Sequence, residues 1–232
     1  MIALWGNYWA FMLPALLLSL LAQWWVGSTY RRWSQVRNQN QLSGAEAAQR
    51  LLTFGGLHDV RVEPSPGSLT DHYDPRSKVL RLSAGVAQSP SVAALAIAAH
   101  EIGHALQDRE GYTLLRLRGA LVPVVNLGSS LGWILIVIGM MLQSLQLASL
   151  GLVAFAAGTV FALATLPVEL NASSRARTLL AQTGLASGET EVGGVQAVLS
   201  AAAFTYIAAL ATAVLQLLYF AGMVSGLGGR RR

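Results

Sequence analysis

The sequence predicts a mainly α-helical membrane protein, with four transmembrane helices and a small α+β domain between the first and the second. Three observations predict it. Of 232 residues, 53% are hydrophobic and only 12% charged, and a mean hydropathy of +0.49 is too high for an ordinary soluble domain. Four long stretches, 2–26, 121–142, 147–166 and 196–224, carry no charged side chain. Eleven of the 16 Lys and Arg lie between Arg31 and Arg118, so the positive-inside bias puts that segment on the cytoplasmic side. The net charge of +5 therefore reads as a topology signal, and no nucleic-acid partner is expected. The absence of cysteine excludes disulfides and thiolate zinc ligands, leaving His and carboxylates for any metal.

The first run, Ile2 to Val26, is long enough to cross roughly 30 Å of hydrocarbon. Trp5, Tyr8 and Trp9 mark one end and Trp24, Trp25 and Tyr30 the other, as interfacial aromatic belts do. Arg31 and Arg32 follow directly, with no basic segment ahead and no small-residue cleavage site. The run therefore reads as an anchor with its N-terminus outside, not a cleaved leader.

From 31 to 118 the composition turns mixed and polar. Ser43 with Glu46 is a capping box, opening a helix over Ala45 to Phe54 that Gly55-Gly56 stops. A strand is expected over Val60 to Glu63, before the Pro64 to Gly67 turn cluster. Leu69 to Tyr73 and Lys78 to Ser83 flank Asp74-Pro75-Arg76-Ser77, where Asp and Pro favour a type I turn. This predicts a β-hairpin. Ser89 as N-cap and Pro90 at the first helical position open the next helix, which runs to about Asp108 before Gly111. Its Val92 to Ala99 portion is too short to span a bilayer by itself and ends in ionisable residues, so the helix is expected to be buried near the membrane surface.

Beyond Arg116 and Arg118, the runs 121–142 and 147–166 form a transmembrane hairpin across a polar link at Gln143 to Gln146. Gly128 and Gly132 give a small-xxx-small face for close helix contact, and Pro123 is tolerated because neighbouring helices can satisfy the freed carbonyl. The stretch 167–195, with Glu169, Arg175 and Arg177, returns to the cytoplasmic side as a helix closed by Gly184. The run 196–224 is the fourth span. Four spans with an outer N-terminus put Arg230, Arg231 and Arg232 outside too, against the positive-inside rule.

The chemistry centres on His100-Glu101-Ile102-Gly103-His104, which holds two of the chain's four histidines. On a helix, residues four apart share a face about 5–6 Å apart at Cβ, so both imidazoles can reach one Zn²⁺ at about 2.0–2.1 Å. Glu101 is then placed to take a proton from a water on the metal, as a general base. Ala98, Ala99 and Ala105 leave room around the pair. A catalytic zinc needs a third protein ligand and an open position. The candidates are His58, His72, Asp59, Asp71, Asp74, Glu169, Glu189 and Glu191. Glu169 is favoured, because the hairpin before it begins and ends on one side and an acidic residue just below a span needs a partner. Glu189 and Glu191 sit in a Gly-rich linker that reads as solvated.

Asp71-His72-Tyr73-Asp74-Pro75-Arg76, Leu80-Arg81-Leu82-Ser83, the stretch from Ala98 to Gln107 and Leu166-Pro167-Val168-Glu169-Leu170-Asn171-Ala172-Ser173 resemble, in this order, the YugP-type membrane zinc metallopeptidases. The likeness covers nearly the whole chain. The chain is more distantly similar to the HtpX and CaaX prenyl endopeptidase group, where a transmembrane hairpin likewise separates the two-His helix from a Glu ligand. The resemblance implies a gluzincin-like protease domain, with one Zn²⁺ bound by His100, His104 and Glu169 and with Glu101 catalytic. It further implies protein or peptide substrates at the lipid bilayer and a multi-pass inner-membrane location, the active site facing the cytoplasm. One departure stands out. The HtpX group has Asp four residues after its Glu ligand, whereas this chain has Ser173, so orientation of a ligand histidine is expected from elsewhere, with Asn171 the candidate.

Peptide hydrolysis also needs oxyanion stabilisation, for which Tyr73, His72 and Arg175 are the candidates, and the hairpin could offer an edge strand to a substrate backbone. An intramembrane site-2-type protease would need the two-His helix within a span and an Asn-Pro-Leu-Asp-Gly-like ligand segment, which the sequence lacks. A zinc transporter would need ligands along the spans, yet the four runs contain no His, Asp or Glu. A non-catalytic zinc-binding scaffold stays open, as do a homo-oligomer and a membrane regulatory partner, because such surfaces leave no short motif.

Overall fold

In the computed structural model, residues 2–229 are described, the side chains of 2–7 excepted; Met1, Arg230, Arg231, Arg232 and the side chain of Trp5 lie outside that description. The uncharged runs become helices longer than the runs themselves. Helix α1 spans Ile2–Ser34, α5 Thr113–Met141, α6 Leu145–Thr183 and α7 Gly188–Gly229, and all four are long and apolar enough to cross a membrane. Between α1 and α5 lie α2 (Gly44–Phe54), β1 (Arg61–Ser65), β2 (His72–Asp74), β3 (Val79–Ser83), α3 (Ala84–Ala87) and α4 (Val92–Arg109). The extra length has functional weight in α6. Pro167 cannot donate to the Leu163 carbonyl, yet the helix passes through it. Glu169 thus belongs to the same helix as the third apolar run, and not to a separate helical segment.

The chain divides into two compact units. One comprises Met1–Ala22, Arg116–Pro167 and Thr205–Arg232, the other Gln23–Leu115 and Val168–Phe204. In the first, α5 and α6 pack backbone to backbone. A Cβ on Gly132 would lie 2.5 Å from the Phe155 nitrogen and 2.8 Å from the Gly151 carbonyl oxygen, and one on Gly128 2.9 Å from the Ala154 oxygen. Both glycines of the expected small-xxx-small face are therefore at a close helix contact. Ile136 and Ala148 are fully buried at this packing. Leu131, Trp133, Val153 and Leu163 are exposed, an apolar surface that suits hydrocarbon surroundings.

In the second unit the capping box of α2 forms as the sequence indicates: the Glu46 N–H donates to Ser43 Oγ (3.3 Å) and the Ser43 N–H to Glu46 Oε2 (2.8 Å). The sheet has the order β1-β3-β2. β3 pairs parallel with β1 and antiparallel with β2, in the register Tyr73 opposite Leu80. This is the expected hairpin, its turn tied by the Arg76 N–H (3.0 Å) and Ser77 hydroxyl (2.6 Å), both donating to Asp74. The first strand extends two residues beyond its expected end and takes in Pro64, which an edge strand tolerates. The short α3 has no counterpart in the sequence reading.

Helix α4 starts later than expected. Ser91, not Ser89, is its N-cap, accepting from the Ala94 N–H at 3.2 Å. The reason lies in residues 36–38: the Asn38 N–H donates to the Pro90 carbonyl (3.0 Å), the Val92 N–H donates to the Val36 carbonyl (2.9 Å), and Arg37 bridges Ser91. These bonds hold residues 90–91 extended, so helical geometry begins only after them. Leu51, Leu80, Leu82, Leu95, Ile102 and Leu180 are the largest fully buried apolar side chains of this unit's core.

Candidate metal centre

Helix α4 is buried on nearly every face from Val92 to Gln107. A polar group on such a helix must find a partner inside the protein. Gly103 sets the geometry. A Cβ there would lie 2.5 Å from the Ala172 carbonyl oxygen of α6, so only glycine lets the two helices approach this closely. Ala172 lies nearly one turn after Glu169, and the approach brings Glu169 against the histidine pair.

The result is a convergent cluster. Glu169 Oε2 lies 3.2 Å from His100 Nε2 and 3.4 Å from His104 Nε2. The two imidazole rings stand edge to face at 4.8 Å, and one ligand atom from each of the three residues lies within 4.8 Å of the others. Four donors around a tetrahedral zinc at about 2.0–2.1 Å stand roughly 3.3 Å apart, which matches the two His–Glu separations. Each ring also keeps its Nε2 for this cluster, because Nδ1 has its own partner: Ser173 Oγ at 3.2 Å for His100, Gln107 Oε1 at 3.0 Å for His104. Glu169 is 1% exposed, and a buried carboxylate between two imidazoles is the setting in which a bound cation is favoured.

A family model described as "Putative neutral zinc metallopeptidase" matches residues 8–225. The chain belongs to this family. It is also 47% identical over 208 residues, 90% of this chain and 92% of the relative, to the "Putative membrane protease YugP" of Bacillus subtilis (strain 168). No solved structure matches. The chain is thus a multi-pass membrane member of a zinc metallopeptidase family, and its His100, His104 and Glu169 could bind one metal ion.

Beside the cluster of this family member, Glu101 is buried and accepts the Tyr73 N–H at 3.0 Å. Burial pushes its carboxyl above the ordinary range, against the opposing pull of His100 and His104. Burial would lower His104, but the bond to Glu169 and the charges of Glu101 and Glu169 win, and its pKa is raised. For Glu101 the cause is burial, whereas for His104 it is the two carboxylates beside the ring.

The other ligand candidates are engaged elsewhere. His58 and Asp59 are exposed. Asp71 accepts from the Ser83 N–H (2.7 Å), Asp74 ties the hairpin turn, and Glu191 accepts from the N–H groups of Gln39 and Ser187. Glu189 is exposed. Among the oxyanion candidates, His72 is exposed with Nδ1 on the Thr70 carbonyl (2.8 Å). Tyr73 donates its hydroxyl to Asp108 (2.8 Å), and burial with that bond holds the phenol protonated far above its usual range. Arg175 grips Glu110 with two nitrogens (2.8 and 2.7 Å) and donates from Nε to Asn171 (2.7 Å).

Two further residues at the centre carry no signal in the motif itself. Gln107 is fully buried on α4; its spacing three residues after His104 on an apolar helix is the clue that could have found it. Ser173 is the other. Its hydroxyl reaches His100 Nδ1, so the residue that departs from the more distant group still contacts a histidine, while Asn171 bonds Gln107 and not a ring.

Proposed function

We propose that this protein is a zinc-dependent endopeptidase that hydrolyses peptide bonds of membrane or membrane-proximal proteins, with Glu101 as general base. The observation that carries the reading is the Glu101 carboxylate held by the Tyr73 N–H next to three convergent donors, His100, His104 and Glu169. When bound there, zinc supplies Lewis acidity and brings the pKa of a coordinated water to about 7. Glu101 takes the proton from the attacking water and passes it to the departing amine. Its raised pKa suits the second step, because a carboxyl that holds its proton more firmly is a competent acid near neutrality. The Tyr73 N–H fixes one carboxylate oxygen and leaves the other to handle the proton. The domain fold reads as gluzincin-like, two His from one helix and a Glu from a later one. The basic residues between the first two apolar runs support a site facing the cytoplasm.

The substrate class follows from the anchor. A multi-pass chain meets proteins in or at the bilayer, in line with the relative named a membrane protease. The test is Glu101→Gln in the purified, detergent-solubilised protein, assayed on a membrane-protein substrate alongside its zinc content. We expect kcat to fall about 10²–10⁴-fold with zinc retained; undiminished cleavage would exclude the mechanism and favour a zinc-binding scaffold.

A further inference from the structure

Gln107 makes three hydrogen bonds through its amide, and the direction of each is fixed from outside. Arg175 Nε can only donate, so the Asn171 atom it meets at 2.7 Å is the amide oxygen. That oxygen, together with the Val168 carbonyl, accepts from Gln107 Nε2 at 2.9 and 2.8 Å. Both hydrogens of the Gln107 amide are thereby used, and its Oε1 faces His104 Nδ1 at 3.0 Å as an acceptor only. An acceptor there requires a hydrogen on Nδ1, so in the neutral imidazole that binds metal the lone pair sits on Nε2.

We propose that Arg175, Asn171 and Gln107 form a positioning relay that sets the His104 tautomer and ring orientation for metal binding. The relay starts at the Arg175–Glu110 ion pair, where the guanidinium is held by both carboxylate oxygens, and ends in the core at a fully buried amide. Gln107 buried without these partners would carry unmet polar groups, at a cost that favours the assembled arrangement. His100 is supported differently. Ser173 Oγ can donate or accept, so its contact with His100 Nδ1 permits either tautomer. The relay therefore dictates one ligand, while the other adapts to the metal.

This inference rests on His104 being a zinc ligand, and the experiment separates the two ideas. Zinc dissociation constants would be measured by chelator competition on the full-length protein in detergent, with melting temperatures of the metal-free forms recorded in parallel. Loss of a partner that orients a metal-bound imidazole typically weakens metal about 10- to 100-fold, and that is the expected effect of Gln107→Met, which keeps the shape and removes the acceptor. Asn171→Asp keeps the oxygen that both Gln107 and Arg175 use and is expected within about threefold of the parent, whereas Asn171→Leu is expected to weaken zinc about tenfold. Ser173→Ala is expected to lose less than Gln107→Met. Equal affinities of Asn171→Asp and Asn171→Leu would overturn the relay, as would parental affinity in a folded Gln107→Met; should Gln107→Met not fold, the Asn171 pair decides. Zinc retained at full affinity in His104→Ala would overturn the ligand assignment itself, whereas zinc lost there but kept in Gln107→Met would remove the relay alone.

Discussion

Helix α6 takes part in two close helix contacts, one in each compact unit, and they use the same device for different ends. Against α5, Gly132 meets the backbone of Phe155 and Gly151, and the surroundings are apolar: Ile136, Ala148 and Phe155. Against α4, Gly103 meets the Ala172 carbonyl at the same hypothetical Cβ distance, 2.5 Å, but the flanking side chains are His100, His104, Glu169, Gln107 and Ser173. A glycine contact by itself gives only proximity. Chemistry arises where the proximity is spent on buried polar groups that satisfy one another, since in a low-dielectric setting such groups are costly apart and strongly coupled together.

The comparison is broken most severely by filling each glycine. Gly103→Val should abolish stoichiometric zinc binding and proteolysis, because the added carbons displace α6 and with it Glu169. Gly132→Val should lower thermal stability, in line with about 1–3 kcal/mol for overpacking, while zinc affinity stays near the parent's. Zinc content and melting temperature of both variants check this, and zinc loss in both would merge the two contacts into one.

Next in size is the effect of acid. The α5 contact holds nothing among its named residues that titrates, whereas Glu101 at the other contact, as the general base we propose, must be a carboxylate to accept a proton. Burial raises its pKa, so the working form is present above that raised value and is lost as pH falls through it. The acid limb of kcat/KM is therefore expected above the ordinary carboxylate range, and it should vanish from the residual activity of Glu101→Gln. A limb unchanged in that variant would assign it to another group.

Removing a single bond at the edge of the polar contact should matter least. Tyr73→Phe deletes the hydroxyl bond to Asp108, which Lys78 also holds at 2.5 Å, and leaves the Tyr73 N–H on Glu101. We expect a loss of about 1.5 kcal/mol by chemical denaturation, a severalfold lower kcat and unchanged zinc affinity. A kcat reduced as far as in Glu101→Gln would instead place the phenol among the reacting groups.

These differences also explain what was legible in the sequence. The four apolar runs and the two-His helix are carried by local signals, uncharged length and i, i+4 spacing, and local signals survive without tertiary knowledge. The capping box at Ser43 and the hairpin around Asp74 were readable for the same reason. The start of α4 was not, because residues 36–38, more than fifty positions earlier, hold Pro90 and Ser91 extended. Gln107 and Gly103 were invisible as site residues for a similar cause. Their meaning depends on what α6 places opposite them; spacing within α4 sets Gln107 near His104 but does not show the partners on α6. Glu169 lay between the cases: topology pointed to it, while its approach to within 3.4 Å of both rings is a property of the packed helices.

The central claim is that one zinc is held by His100, His104 and Glu169 across α4 and α6. Metal content by mass spectrometry of the purified parent, His104→Ala and Glu169→Ala tests it most directly. About one zinc per chain in the parent, lost in both variants, is the result expected of a three-ligand catalytic site; a full complement of zinc in Glu169→Ala would contradict it.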